Sequence, residues 1–244
     1  MLVCLAFFAG LVRGYSGFGF AMLLSLGLLL RYSPAEAVPV ALMLDVAASF
    51  SLWPSAIKAF HRPIGMRLIG GMLLAIPLGT AMLSHVPALW MTPLVGLFCL
   101  IGGVLVLWRP VVSAGPASSH MALPAGVLAG LAMSLASSGG PPLILYLLRS
   151  GLDPIRLRAV AVVFFAVTST VSLLGFWLFD ALHHSHASLA LTLLLPALLG
   201  NLAGQWLYRR WPPVSLRWAV GGLLVVMSSI VLCSGLWKLY WYGG

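Results

Sequence analysis

Continuous apolar runs, mostly about twenty residues long and parted by short polar breaks, account for almost the whole chain. Eight can be drawn, at 2–30, 34–57, 68–83, 89–108, 123–148, 155–179, 189–207 and 216–237. A helix of about twenty apolar residues is long enough to cross a bilayer. Transmembrane strands would instead show segments of about ten alternating residues, so the pattern predicts an all-α chain. Two of the runs carry a flaw. The first holds Ser16-Gly17-Phe18-Gly19-Phe20 and the fifth holds Ser137-Ser138-Gly139-Gly140-Pro141-Pro142. Glycine weakens a helix, and proline removes an amide and clashes with the preceding turn. Both runs are therefore predicted to break. Broken backbone at membrane depth survives only where protein buries it or where it lines a wet cavity. A matching pair of breaks, one per half, points to a transporter's binding site.

The two halves align on each other. Ala9-Gly10-Leu11 pairs with Ala129-Gly130-Leu131, Gly19 with Gly139, Ser33-Pro34 with Asp153-Pro154, and Ser49 with Ser169, all without a gap. Further on, with small gaps, Leu78-Gly79-Thr80 meets Leu199-Gly200-Asn201. The expected organisation is a first transmembrane repeat at 1–109, a linker rich in Ser, Gly, Ala and Pro at 110–120, and a second repeat at 121–244.

Charge decides how the repeats are related. The basic residues cluster at Lys58, His61, Arg62 and Arg67, at Arg109, at Arg149, Arg156 and Arg158, and at Arg209, Arg210 and Arg217. If every run crossed fully, these clusters would fall on both faces, against the positive-inside bias. If the first and fifth runs are re-entrant hairpins, all four clusters share one face. Each half then crosses an odd number of times, and the repeats are inverted.

Composition narrows the class. Hydrophobic residues make up 61% and charged residues 7%, with mean hydropathy +1.09; a soluble domain carries about 25% charged residues. The lipid bilayer is the expected surroundings. The net charge of +9 sits in loops between apolar runs, so topology explains it and no nucleic-acid partner is expected. Met1-Leu2-Val3-Cys4 has no basic stretch before it, so no cleaved signal peptide is expected. Cys4, Cys99 and Cys233 read as small buried hydrophobes. Trp90, Trp108, Trp177, Trp211, Trp237 and Trp241 read as interfacial anchors.

The candidate chemistry lies at the breaks. Helix ends there would offer free amides and a positive dipole end to an anion. Ser16, Gly17 and Gly19, with Ser137, Ser138, Gly139, Gly140 and Pro141, are the candidate binding residues. Against this stands the reading that the glycines only let helices pack closely. Arg13 precedes the first break, in apolar sequence, where a cation needs a partner or a cavity. Its planar fork suits a sulfonate, carboxylate or phosphate. Asp45, the one acid well inside a run, is the candidate for carrying a coupling proton, or else the static partner of Arg13. Asn201, Gln205, Thr80, Ser169 and Thr170 read as interhelical hydrogen-bonding residues. His183, His184 and His186 read as a solvated loop rather than a metal site. No nucleotide loop, HExxH or paired acids are present, so no enzyme, no cofactor and no metal is expected. The partner is a small anionic substrate; association between copies of the chain stays open.

The stretches Ala9-Gly10 through Gly14-Tyr15-Ser16-Gly17-Phe18-Gly19, Ala129-Gly130 through Pro141-Pro142 and Leu145-Tyr146, and Leu199-Gly200-Asn201 to Arg209-Arg210 carry a family likeness. In them the chain resembles the sulfite exporter TauE/SafE family of membrane permeases. The resemblance implies a multi-pass permease of the bacterial inner membrane for sulfite, organosulfonates or related anions. The alternative is a non-transport assembly or sensor subunit of the membrane. The first break departs from the family's denser glycine run, which implies that Phe18 and Phe20 narrow the first-half pocket.

Overall fold

Glycine and proline decide where the apolar runs divide into helices. The computed structural model describes residues 2–107, 119–211 and 217–242, so the expected linker lies almost wholly outside the described residues. Among them all regular structure is helical. The first run is two helices, α1 (Leu2–Ser16) and α2 (Phe20–Leu28), joined through Gly17 at φ 84° and Gly19 at φ 88°. Only glycine holds such left-handed backbone without cost. The chain folds back at this turn, because Leu5 near the start of α1 lies against Gly27 near the end of α2. There follow α3 (Pro34–Phe50), α4 (Trp53–Ala59), α5 (Arg62–His85) and α6 (Ala88–Leu107). In the second half α7 (Ala122–Ala136) and α8 (Gly140–Arg149) flank the second break, then come α9 (Pro154–Leu178), α10 (His184–Arg210) and α11 (Arg217–Tyr242).

Local chemistry sets the helix starts. Ser33 and Glu36 form a reciprocal capping box before α3, with the Ser33 amide donating to Glu36 Oε2 at 3.0 Å. Asp153 Oδ1 accepts from the Ile155 and Arg156 amides at 3.1 and 3.0 Å at the head of α9. The histidine run is only partly loop: His184 and His186 belong to the first turn of α10. His183 precedes α10, and its amide donates to Nδ1 of the buried His186 at 3.0 Å. Cys99 is buried, but Cys4 and Cys233 face outward; both lie on outer helix faces, where a lipid environment accepts a thiol as readily as a core does. Trp90, Trp177, Trp211, Trp237 and Trp241 are exposed.

The second run, expected as one segment over 34–57, bends by 72° between α3 and α4. Pro54 lacks an amide and restricts Trp53 before it. The Leu52 amide turns to the Ser49 carbonyl at 3.0 Å instead of reaching back four residues; the Ala48 carbonyl accepts from Asn201 Nδ2 at 2.9 Å, and Ser51 Oγ receives both Asn201 Nδ2 and Gln205 Nε2. α10 thus supplies the bonds that α3 loses. The helices α5, α9 and α10, of 24, 25 and 27 residues, are apolar and long enough to cross a bilayer, and α3 with α4 makes a fourth if the bent pair is one span.

Packing repeats itself between the halves. α1 lies along α10, where Gly10 and Gly14 meet the backbone of Ala197 and Asn201, and Gly200 and Gly204 meet that of Phe7 and Leu11. In the same way α7 lies along α5, where Gly126 meets Leu68 and Gly71 meets Leu123. α3 packs on α9 and α6 on α11. Exchanging the halves maps this set of pairs onto itself. Small residues let these backbones touch. Gly204→Val is expected to lower the melting temperature in detergent sharply, since overpacking costs about 1–3 kcal/mol before backbone shifts are counted. Gly70→Val, where nothing lies within 4 Å of the new methyl position, serves as the control and is expected to melt with the parent.

Candidate functional site

The two breaks meet at one chamber. Arg13, Phe18, Gly19, Ala21, Met22 and Asp45 line it from the first half; Met133, Ser137, Gly140, Pro141 and Phe165 line it from the second. It is narrow, with space of about 10 Å³ for water, roughly one molecule. Six residues singled out in the sequence therefore converge: Arg13, Gly19, Asp45, Ser137, Gly140 and Pro141.

Arg13 and Asp45 form a buried ion pair, Nη1 to Oδ1 at 3.0 Å, with side chains 1% and 0% exposed. Each is held by a serine. Arg13 Nη2 donates to Ser49 Oγ at 2.6 Å, and Ser169 Oγ donates to Asp45 Oδ2 at 2.8 Å. Ser49 in turn donates to the Asp45 carbonyl at 2.7 Å. The Phe165 ring lies under the guanidinium, 5.4 Å from Cζ to the centroid. A buried pair survives only with such added hydrogen bonds. Two polar atoms here are buried with no partner: Arg13 Nε and Ser137 Oγ. Unmet donors at a narrow chamber suit an acceptor-rich guest.

Ser137 carries a further mark. Its φ is 52°, the left-handed region, matching Gly17 at the same place in the other break. A side chain there is uncommon and costs roughly 1 kcal/mol. The serine keeps the turn that glycine makes in the first half, and adds a hydroxyl to the chamber.

The other predicted residues stand back from the lining. Ser16 Oγ donates to the Val12 and Phe18 carbonyls at 2.7 and 2.9 Å, holding the turn. Gly17 packs on the Arg158 side chain, Gly139 on Ala129 and Met133, and Ser138 Oγ lies 3.4 Å from Met22 Sδ. Phe18 narrows the chamber, whereas Phe20 is buried in the core.

The amide supply is one-sided. Pro141 and Pro142 occupy the first turn of α8 and have no N–H, so that helix start offers few donors. The start of α2 keeps the amides of Phe20, Ala21 and Met22, with Ala21 and Met22 at the chamber.

The alignment that pairs Gly19 with Gly139 explains the asymmetry. It also pairs Arg13 with Met133 and Asp45 with Phe165, and all four line the chamber. One half supplies the charges and the other supplies apolar side chains at the equivalent positions. Met133 and Phe165 escaped the sequence reading because apolar residues in apolar runs carry no signal of their own. Continuing the alignment past the glycines to positions 13 and 45 would have found them.

The sequence model of the sulfite exporter TauE/SafE family matches residues 2–231. The chain belongs to that family. A curated relative described as a probable sulfite/organosulfonate exporter TauE, from Cupriavidus necator, is 28% identical over 173 residues, 66% of this chain. The match spans 65% of that relative's length. No solved structure matches the chain. Membership in the TauE/SafE family and the several long apolar helices make this a multi-pass membrane protein.

Proposed function

We propose that this protein is a secondary permease that carries sulfite or an organosulfonate across the bacterial inner membrane, one anion at a time, through the Arg13 chamber. The observation that carries the reading is the Arg13–Asp45 pair, sealed between the two breaks with Arg13 Nε and Ser137 Oγ unmet. Space of about 10 Å³ for water leaves no room for such an anion. The halves must part to admit one, which is the rocking that alternating access requires. Two inverted repeats fit this motion. The pairing of α1 with α10 and of α7 with α5 supports them, as does the fold-back of α2 on α1.

Asp45 and an incoming anion compete for the same guanidinium. While Asp45 is ionised it holds Arg13 Nη1; once protonated it releases that donor to the solute. The anion and a proton then enter the chamber together, and neither leaves a net charge buried alone. The Ser137 hydroxyl and the Ala21 and Met22 amides complete a polar shell, while Phe165 and Met133 shut out water.

The purified protein in liposomes tests the reading. Radiolabelled sulfite or ethanesulfonate is expected to enter saturably, with counterflow when the lumen holds unlabelled anion. Protein-containing vesicles no more permeable than empty ones would overturn it, and leave the role of an assembly or sensor subunit.

A further inference from the structure

Beside the α1–α2 turn lies a second cavity, larger than the first, with about 270 Å³ open to water. That is room for several waters and for a small organic anion. Ser55, Leu52 and Ala56 line it from the bend between α3 and α4, Arg158 and Val162 from α9, and Tyr208 from α10. Arg158 is the one cation in the lining. Its Nη2 donates to the Gly14 carbonyl at 2.7 Å, its stem lies on Gly17, and its Cζ is 4.1 Å from the centre of the Tyr208 ring. Three contacts fix the guanidinium in place. Its Nε is buried without a partner, and among the described residues no carboxylate lies within ion-pair distance of it. The neighbouring Arg156 takes Asp153 instead, at 3.3 Å.

A fixed, partly buried guanidinium with no counter-charge, facing an open cavity, is a receptor for an anion. The walls state which kind. Leu52, Ala56 and Val162 offer apolar surface beside the charge, so a bare inorganic ion would leave it unused. We propose that this cavity is a second anion site, which holds a short organosulfonate with its sulfonate on Arg158 and its hydrocarbon part against Leu52, Ala56 and Val162. Resting on the permease reading above, the site is a waiting position outside the narrow chamber. Arg158, on α9, grips the carbonyl of Gly14, the residue next to Arg13 on α1, which ties the cavity to the end of α1 that carries the chamber's cation. The same oxyanion chemistry occurs in the headgroup of an anionic phospholipid, and the test separates the two.

Equilibrium binding of radiolabelled ethanesulfonate to the full chain in lipid-free detergent should count two anions per protein. Arg158→Gln is expected to lose one and keep the Arg13-dependent one; Arg158→Lys is expected to weaken it about tenfold, because a point charge replaces a fork. Ala59 also lines the cavity; Ala59→Phe should fill it while leaving Arg158 and its bond to Gly14 intact, and is expected to lose the same anion. Full occupancy in Arg158→Gln overturns the proposal. So does loss in Arg158→Gln with none in Ala59→Phe, which would make Arg158 a tie between helices. Displacement of the Arg158-dependent anion by added phosphatidylglycerol overturns it in favour of lipid. Retention of this anion together with absent transport would instead sink the permease reading alone.

Discussion

Arg13→Ala is expected to abolish anion transport in liposomes and also to weaken the fold, and the two losses should separate when Asp45 is changed with it. Removing one partner of a buried charge pair costs about 3–5 kcal/mol, because the other is stranded. Asp45 is 0% exposed and Ser169 is its remaining partner, so the single variant is expected to melt earlier in detergent. The double variant Arg13→Met with Asp45→Leu strands nothing. It gives position 13 the residue that the aligned position in the other half, Met133, already places against the same chamber. Replacing a buried pair by apolar residues of similar volume is often neutral or stabilising, so its melting temperature should return to the parental range or above. Its transport should not return. Losing the guanidinium removes about 3 kcal/mol of anion stabilisation, roughly a hundredfold in affinity. A double variant that folds and still carries ethanesulfonate at the parental rate would make the pair a structural strut.

Much of this arrangement was legible in the chain. The breaks at Gly17–Gly19 and Ser137–Gly139 could be placed because glycine and proline act on their own backbone, whatever surrounds them. Arg13 and Asp45 stood out because a charge inside an apolar run must be answered by something. The bend between α3 and α4 was harder to read. Pro54 signalled it locally, but the bonds that hold it come from Asn201 and Gln205, about 150 residues away in the chain. Cys4 and Cys233 went astray for a related reason. In lipid the outer faces of helices are as apolar as the core, so hydrophobicity does not tell inside from outside. The cavity at Arg158 was hidden differently. Arg158 read as one of a basic cluster setting topology, and only the contact with Gly14 and Tyr208 distinguishes it from Arg156 two residues before.

Sulfonate affinity should rise as pH falls, and Asp45→Asn should remove that dependence. A sulfonate stays ionised across the usable range, so any slope belongs to the protein. Protonating Asp45 deletes the charge that competes for Arg13 Nη1, 3.0 Å away. The gain in affinity is therefore complete below the titration of Asp45 and is lost as pH rises through it. One proton linked to one anion sets the limit at about tenfold per pH unit. Asparagine keeps an oxygen for the Ser169 hydroxyl, which donates to Asp45 Oδ2 at 2.8 Å, yet it leaves Arg13 permanently free of a counter-charge. The variant should bind ethanesulfonate tightly at every pH, exchange it across the membrane, and no longer build an anion gradient from a pH gradient. Reciprocity gives a second check, because if protons tighten the anion, the anion must tighten the proton by the same factor. Adding ethanesulfonate to the weakly buffered parent should draw protons from solution, and adding it to Asp45→Asn should not. Proton uptake by both would place the coupling group elsewhere, and uptake by neither would make the carrier a uniporter driven by the membrane potential alone.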